Sequence, residues 1–196
     1  MIPALALLLI VVVYRVVLGM AGSADLQWLH NFAPVAAIAL CGAVYLPRKF
    51  AFILPLGMLA VSDVILNVFH YHQPLLTWEI LPRYAALALI TGLGLALRGR
   101  AGLARLLMGS AVGSIVFYLV TNTGSWLGDP GYAKTAAGWI QAMTTGLPGF
   151  PPTWWFYRHT FLSDLLFTVL FVACVRLTTR ESAAPQPAQP QPAIPA

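Results

Sequence analysis

Six apolar runs follow one another along this chain, near residues 2–20, 32–47, 50–69, 80–97, 104–123 and 160–177. Each approaches the ~20 residues that a helix needs to cross a bilayer. Backbone N–H and C=O groups cannot stay unpaired in hydrocarbon, so such runs are expected to be helices. They are continuously apolar, which excludes the alternating pattern of a barrel strand. The expected fold is therefore all-α: a polytopic membrane helix bundle of about six transmembrane helices. Charge supports this, because only 9% of the 196 residues are charged. A water-facing domain carries roughly 25%.

The formal net charge of +5 does not indicate a nucleic-acid partner, because the basic residues stand at the ends of the runs. Arg48 and Lys49, then Arg98, Arg100 and Arg105, then Arg176 and Arg180 fall on one side of a six-span chain. The opposite side holds Arg83, Lys134 and Arg158, offset by Asp25, Glu79 and Asp129. The positive-inside tendency then places both termini in the cytoplasm of a bacterium, with the chain multi-pass in the inner membrane. The first run is read as an uncleaved span, since no basic residue precedes it and Arg15 interrupts it. Cys41 and Cys174 lie inside apolar runs and are read as packing residues.

Small residues recur four apart at Ala33 and Ala37, Ala39 and Ala43, and Gly109 and Gly113, which permits close helix approach. Asn31 is the expected N-cap of the second span, with Pro34 in its first turn. The connection 124–159 is too long for a simple turn. Asp129-Pro130 reads there as a helix start. The segment "YAKTAAGWIQAMTTGL" then predicts an outer-leaflet amphipathic or re-entrant helix, and "LPGFPPTWWFY" supplies interfacial aromatics. Residues 1–180 form the expected membrane domain. The Pro-rich tail 181–196 is expected to be disordered and cytoplasmic.

Polar residues gather toward one end of this bundle. Asp63, Asn67 and His70 share one face of the third span at i, i+4 and i+7. Tyr118, Asn122 and Ser125 repeat that spacing in the fifth, and Asp164 begins the sixth. Arg15 reaches a similar height on the first, and Asn31 with His30 opens the second. Intramembrane charge costs at least ~2.5–3.5 kcal/mol, so such groups face a partner or a wet cavity. Arg15 is expected to pair with Asp63 or Asp164. Asp63, Asn67, Asn122, Trp126 and Asp164, with Arg15, Asn31 and Tyr118, form the expected wall of an outward-facing cavity for a small-molecule substrate. The segment 129–158 would cover it.

No cofactor and no metal are expected, because His70 and His72 at i, i+2 do not share a helix face. Catalytic signatures such as HExxH, GxSxG and the P-loop are missing from the sequence, so no enzyme activity is expected. Two alternatives stand beside solute binding: an intramembrane enzyme using Asp63 and Asp164 as a proton-sharing pair, and a membrane assembly protein without ligand.

The segments "NFAPVAAIALCGAVYL", "PLGMLAVSDVIL", "FYLVTNTGSWL", "GYAKTAAGWIQAMTTGLPGF" and "TFLSDLLFTVLF" resemble a family of uncharacterised bacterial membrane proteins labelled as transport proteins. That family is more loosely similar to the substrate-binding (S) components of energy-coupling-factor transporters. The resemblance implies a six-helix subunit, within the lipid bilayer, that captures a vitamin-like nutrient from outside. Its uptake would need a transmembrane coupling subunit with ATPases. S-components often carry Ala-x-x-x-Ala in the first helix, whereas here that spacing occurs in the second span.

Overall fold

The computed structural model describes residues 2–20, 34–70, 72–74, 77–100 and 102–182. These residues are all-helical, with no strand among them. The elements are α1 (Ile2–Met20), α2 (Val35–Tyr45), α3 (Ile53–Asp63), α4 (Ile80–Leu97), α5 (Leu103–Gly128), α6 (Ala136–Met143) and α7 (Thr153–Ser182). A 3₁₀ turn at Arg48–Phe50 precedes α3, and a π-helical segment at Val64–His70 continues it. Among the described residues, four helical stretches are long and apolar enough to cross a membrane: Arg48–His70, Ile80–Leu97, Leu103–Gly128 and Thr153–Leu177. Many of their large apolar side chains face outward, among them Ile53, Leu81, Met108 and Leu162. A lipid-facing surface requires this, and a water-facing one would not tolerate it.

The core is organised around a short apolar helix, α2. At 11 residues α2 is about 16 Å long, half a bilayer. It packs against α3, α4, α5 and α7. Its residues from Ala36 to Val44 are buried except Ile38. Small side chains make this possible. Ala39 and Ala43 are fully buried, and the backbone of α4 at Gly94 approaches Leu40 and Ala43. Gly109 and Gly113 of α5 meet Leu40 and Leu97, then Ala36 and Ile90. The Ala39/Ala43 pair is thus taken up by internal packing.

A helix ending inside a bundle has orphan backbone groups at both ends. Pro34 occupies the N-cap position of α2, the place expected for Asn31, and offers no capping side chain. The N–H of Ala37 instead donates to Asp164 Oδ1 of α7 at 2.9 Å. At the other end Arg98, after α4, donates to the Leu46 carbonyl at 2.6 Å. An anion at the N-terminus and a cation at the C-terminus both complement the helix dipole. Arg98 also brings the α4–α5 turn to the same end as the α2–α3 turn. Tyr45 stacks on Phe171, with Val175 beside it, which places the C-terminal part of α7 there too. The three basic chain segments therefore share one end of the bundle.

Two sequence expectations need correction. Helix α5 runs through the polar stretch to Gly128, and Asp129 closes it, its N–H bonding to the Ser125 carbonyl. Asp129 Oδ1 accepts from the Gly131 N–H, so Asp129-Pro130 forms a turn and starts no helix. The helix beyond begins later, at Ala136, with Thr135 as N-cap accepting from the Gly138 N–H. Helix α7 begins at Thr153, directly after Pro151-Pro152, so "TWWFY" forms its first turns. Glu181 and Ser182, the first two residues of the expected tail 181–196, end α7, and residues 183–196 lie outside the described residues, as do His30 and Asn31.

Candidate functional site

Polar side chains enter the bundle at its other end through two separate seams, one on each side of α5. On the α7 side, Ser110 and Ser114 repeat at i+4, and Asp164 and Thr168 repeat at i+4 on the facing helix. Thr168 donates to Ser110 at 2.9 Å, and Ser114 donates to Asp164 Oδ2. All four are essentially inaccessible to solvent. Above this ladder the helices part into a cleft of about 280 Å³. Tyr118, Thr121 and Asn122 line it from α5, and Thr153, Tyr157 and Thr160 from α7. Phe117 and Phe156 complete its walls, and Ser114 reaches it from below. The Tyr118 and Tyr157 rings lie 4.6 Å apart. Among the described residues, no charged side chain lines it.

Helix α6 packs against α5 beside this cleft, where the Tyr118 hydroxyl donates to the Met143 carbonyl. The connection before α6 is fixed to α5 by Trp126, whose Nε1 donates to the Ala133 carbonyl at 2.8 Å. Lys134 closes the same loop onto the carbonyls of Trp126 and Asp129. Tyr132 lies buried in this loop, where burial and then the Asp129 carboxylate raise its phenol above the ordinary range. Trp139 Nε1 donates to Thr123 at 3.0 Å. Gly146, at φ +70, turns the chain back toward α7, a conformation that glycine adopts freely. Arg158 stacks 3.8 Å above Trp155 at the rim.

On the α4 side, Asp63 is held by two cations. Arg15 of α1 donates to its Oδ1 at 2.6 Å and Arg83 of α4 at 3.0 Å, with the Tyr84 hydroxyl 3.5 Å from Oδ2. Arg83 also lines an outer cleft of about 390 Å³, with Asn67 of the π segment, Glu79, Ser125 and Asp129. The π segment explains why Asp63 and Asn67 part company. Its i→i+5 bonding widens the turn, so i+4 no longer means the same face. Asp63 is buried, whereas Asn67 reaches the outer cleft.

The eight residues expected to wall one cavity are thus distributed. Tyr118 and Asn122 line the α5–α7 cleft, with Asp164 beneath it behind Ser114. Asn67 lines the outer cleft, and Asp63 lies behind its Arg83. Arg15 borders a narrow apolar crevice of about 40 Å³ against Val11, Met58 and Leu59. Trp126 lines neither cleft, and Asn31 lies outside the described residues. Asp63 and Asp164 share no hydrogen-bond partner. No group of three metal-ligating side chains occurs among the described residues. Sequence reading missed Arg83, Arg98 and Ser114. The i+4 repeat Ser110–Ser114–Tyr118–Asn122 carried a signal for Ser114. Arg83 follows Pro82 in a first helical turn, where nothing local separates an inward arginine from an outward one.

No curated protein and no solved structure matches the chain. A family model does match, over residues 1–188, and the chain belongs to that family, a family of unknown function designated DUF6580.

Proposed function

We propose that this protein is a six-span bacterial inner-membrane subunit for solute uptake that binds a neutral, ring-bearing nutrient of vitamin-like size in the α5–α7 cleft. The observation that carries the reading is the lining of that cleft. Six hydroxyl side chains and one carboxamide surround about 280 Å³ between two apolar helices. Its aromatic walls suit a planar ring, and its lack of charge suits an uncharged one. Asn122 donates to the Tyr118 carbonyl at 2.8 Å, leaving its carboxamide oxygen for an occupant. The loop held by Trp126 and Lys134, together with α6, forms the cover. A transmembrane coupling subunit with ATPases would supply the energy, as in the transporters the sequence resembles.

Native mass spectrometry of the purified protein, followed by thermal-shift screening of a vitamin panel, tests the reading. A co-purifying molecule is expected, with Asn122→Ala weakening its binding about tenfold, in line with one lost hydrogen bond to a ligand. If nothing co-purifies and no compound in the panel raises the melting temperature, the proposal is wrong. Orientation has its own check. Single cysteines introduced in the Arg98–Arg105 turn are expected to be shielded from an impermeant thiol reagent added outside intact cells. Labelling from outside would invert the topology and close the cleft to external solute.

A further inference from the structure

We infer that Asp164 is a proton-binding site, reached from the α5–α7 cleft through the hydroxyl of Ser114. Ser114 lines the cleft and also donates to Asp164 Oδ2, so one hydroxyl joins an open cavity to a carboxylate that has no exposure of its own. Asp63 makes the contrast, since two guanidinium groups neutralise it. The hydrogen bonds to the Asp164 carboxylate come from backbone amides at the start of α2 and from a hydroxyl, none of which carries a full charge.

Burying an anion on such terms is costly, and a proton removes the cost. The N-terminus of α2 opposes this, because its dipole and the Ala37 N–H favour the anion. The carboxylate therefore sits between two opposed influences. Its two oxygens divide the work. Oδ1 accepts from Ala37 and can do so in either protonation state, so α2 stays capped. Oδ2 faces Ser114 and takes the proton. In the transfer, the Ser114 oxygen accepts a proton from the cleft while its own hydroxyl proton passes to Oδ2. The serine ends as it began, and the carboxylate has gained one proton.

Helix α7 packs against α1, α2, α5 and α6. Cys41 on α2 and Tyr157 on its own helix, a thiol and a phenol, are ionisable neighbours of Asp164. Helix α5 presents Ser110 and Ser114, with Tyr118 one turn on against Tyr157; α6 contains no ionisable side chain; α1 carries Tyr14, a phenol, and Arg15, which is engaged by Asp63. A linkage between protonation and solute rests on the reading above. Protonation itself is tested with no solute present, so the two can fail separately.

Infrared spectroscopy of the full-length protein in detergent, titrated from about pH 5 to about pH 9, reads the protonated-carboxyl C=O stretch directly. That window spans what buried carboxylates reach. The wild type is expected to show one such band that fades as pH rises. Asp164→Asn should remove it, and Asp63→Asn should keep it. In Ser114→Ala the band should survive but exchange its proton for deuterium several-fold more slowly. Identical spectra for the wild type and Asp164→Asn, or a band indifferent to pH, would overturn the proton site. Wild-type exchange in Ser114→Ala would overturn the path. Should Asp164→Asn fail to fold, Asp164→Glu carries the same test: a displaced band assigns it to this residue, and an undisplaced one refutes the assignment.

Discussion

Asp63→Ala is expected to be among the most destabilising single substitutions in the bundle, at about 3 kcal/mol or more. Asp63 is the only acid paired with Arg15 and Arg83 among the described residues, and both bonds converge on one of its oxygens. Removing it leaves two guanidinium groups, each about a quarter exposed, without a counter-charge. Repulsion between them adds to the desolvation left uncompensated. Denaturation of the detergent-solubilised protein measures the loss. The double variant Asp63→Leu/Arg15→Met sharpens the test. It removes the more deeply committed pair together and leaves Arg83, which already borders the outer cleft and can turn to water. This variant should recover at least half the loss, because replacing a buried ion pair with apolar groups of similar size is often close to neutral. A single Asp63→Ala change within 1 kcal/mol of the wild type would show that the triad holds nothing together.

The triad also shows how far sequence alone reaches. The long helices were legible because a run of apolar residues near the bilayer's length leaves the backbone no other option. The pairing of Arg15 with Asp63 was legible as one of two choices, since a buried cation needs an anion at its own depth. The second arginine was not. Arg83 sits in a first helical turn at the end where loop charges also collect, and only tertiary packing turns it inward. The π segment was equally hidden: "VILNVFH" reads as ordinary helix, yet its wider turn sends Asn67 away from Asp63. The expected single cavity became two clefts for a related reason. Asn122 and Ser125 are three residues apart on α5, yet one lines the cleft beside α7 and the other the cleft beside α4. A helical period groups residues by face within one helix. Which neighbouring helix each edge of that face meets is a property of the bundle.

The reach of small residues in a membrane bundle can be measured on α4 with two glycines two residues apart. Gly94→Ala is expected to destabilise the protein by about 3 kcal/mol, the upper part of the range for overpacking. A Cβ at position 94 would stand 2.6 Å from the Leu40 carbonyl oxygen and 2.7 Å from the Ala43 Cβ. Neither neighbour is a flexible chain end. Leu40 contributes backbone, and both residues belong to α2, which is clamped at its two ends by Asp164 and Arg98 and cannot slide away. Gly92→Ala should do the opposite. A Cβ there meets nothing within 4 Å, so the change adds only helix propensity and stabilises by about 0.5–1 kcal/mol. Thermal unfolding of both variants in one detergent reads the difference, and their chemical identity cancels any general effect of exchanging glycine for alanine. The sign at position 94 decides whether α2 is truly the fixed centre against which the other helices pack. If both variants melt together, α2 is free to yield, and the trans-caps at its ends are too weak to hold it where Asp164 needs it.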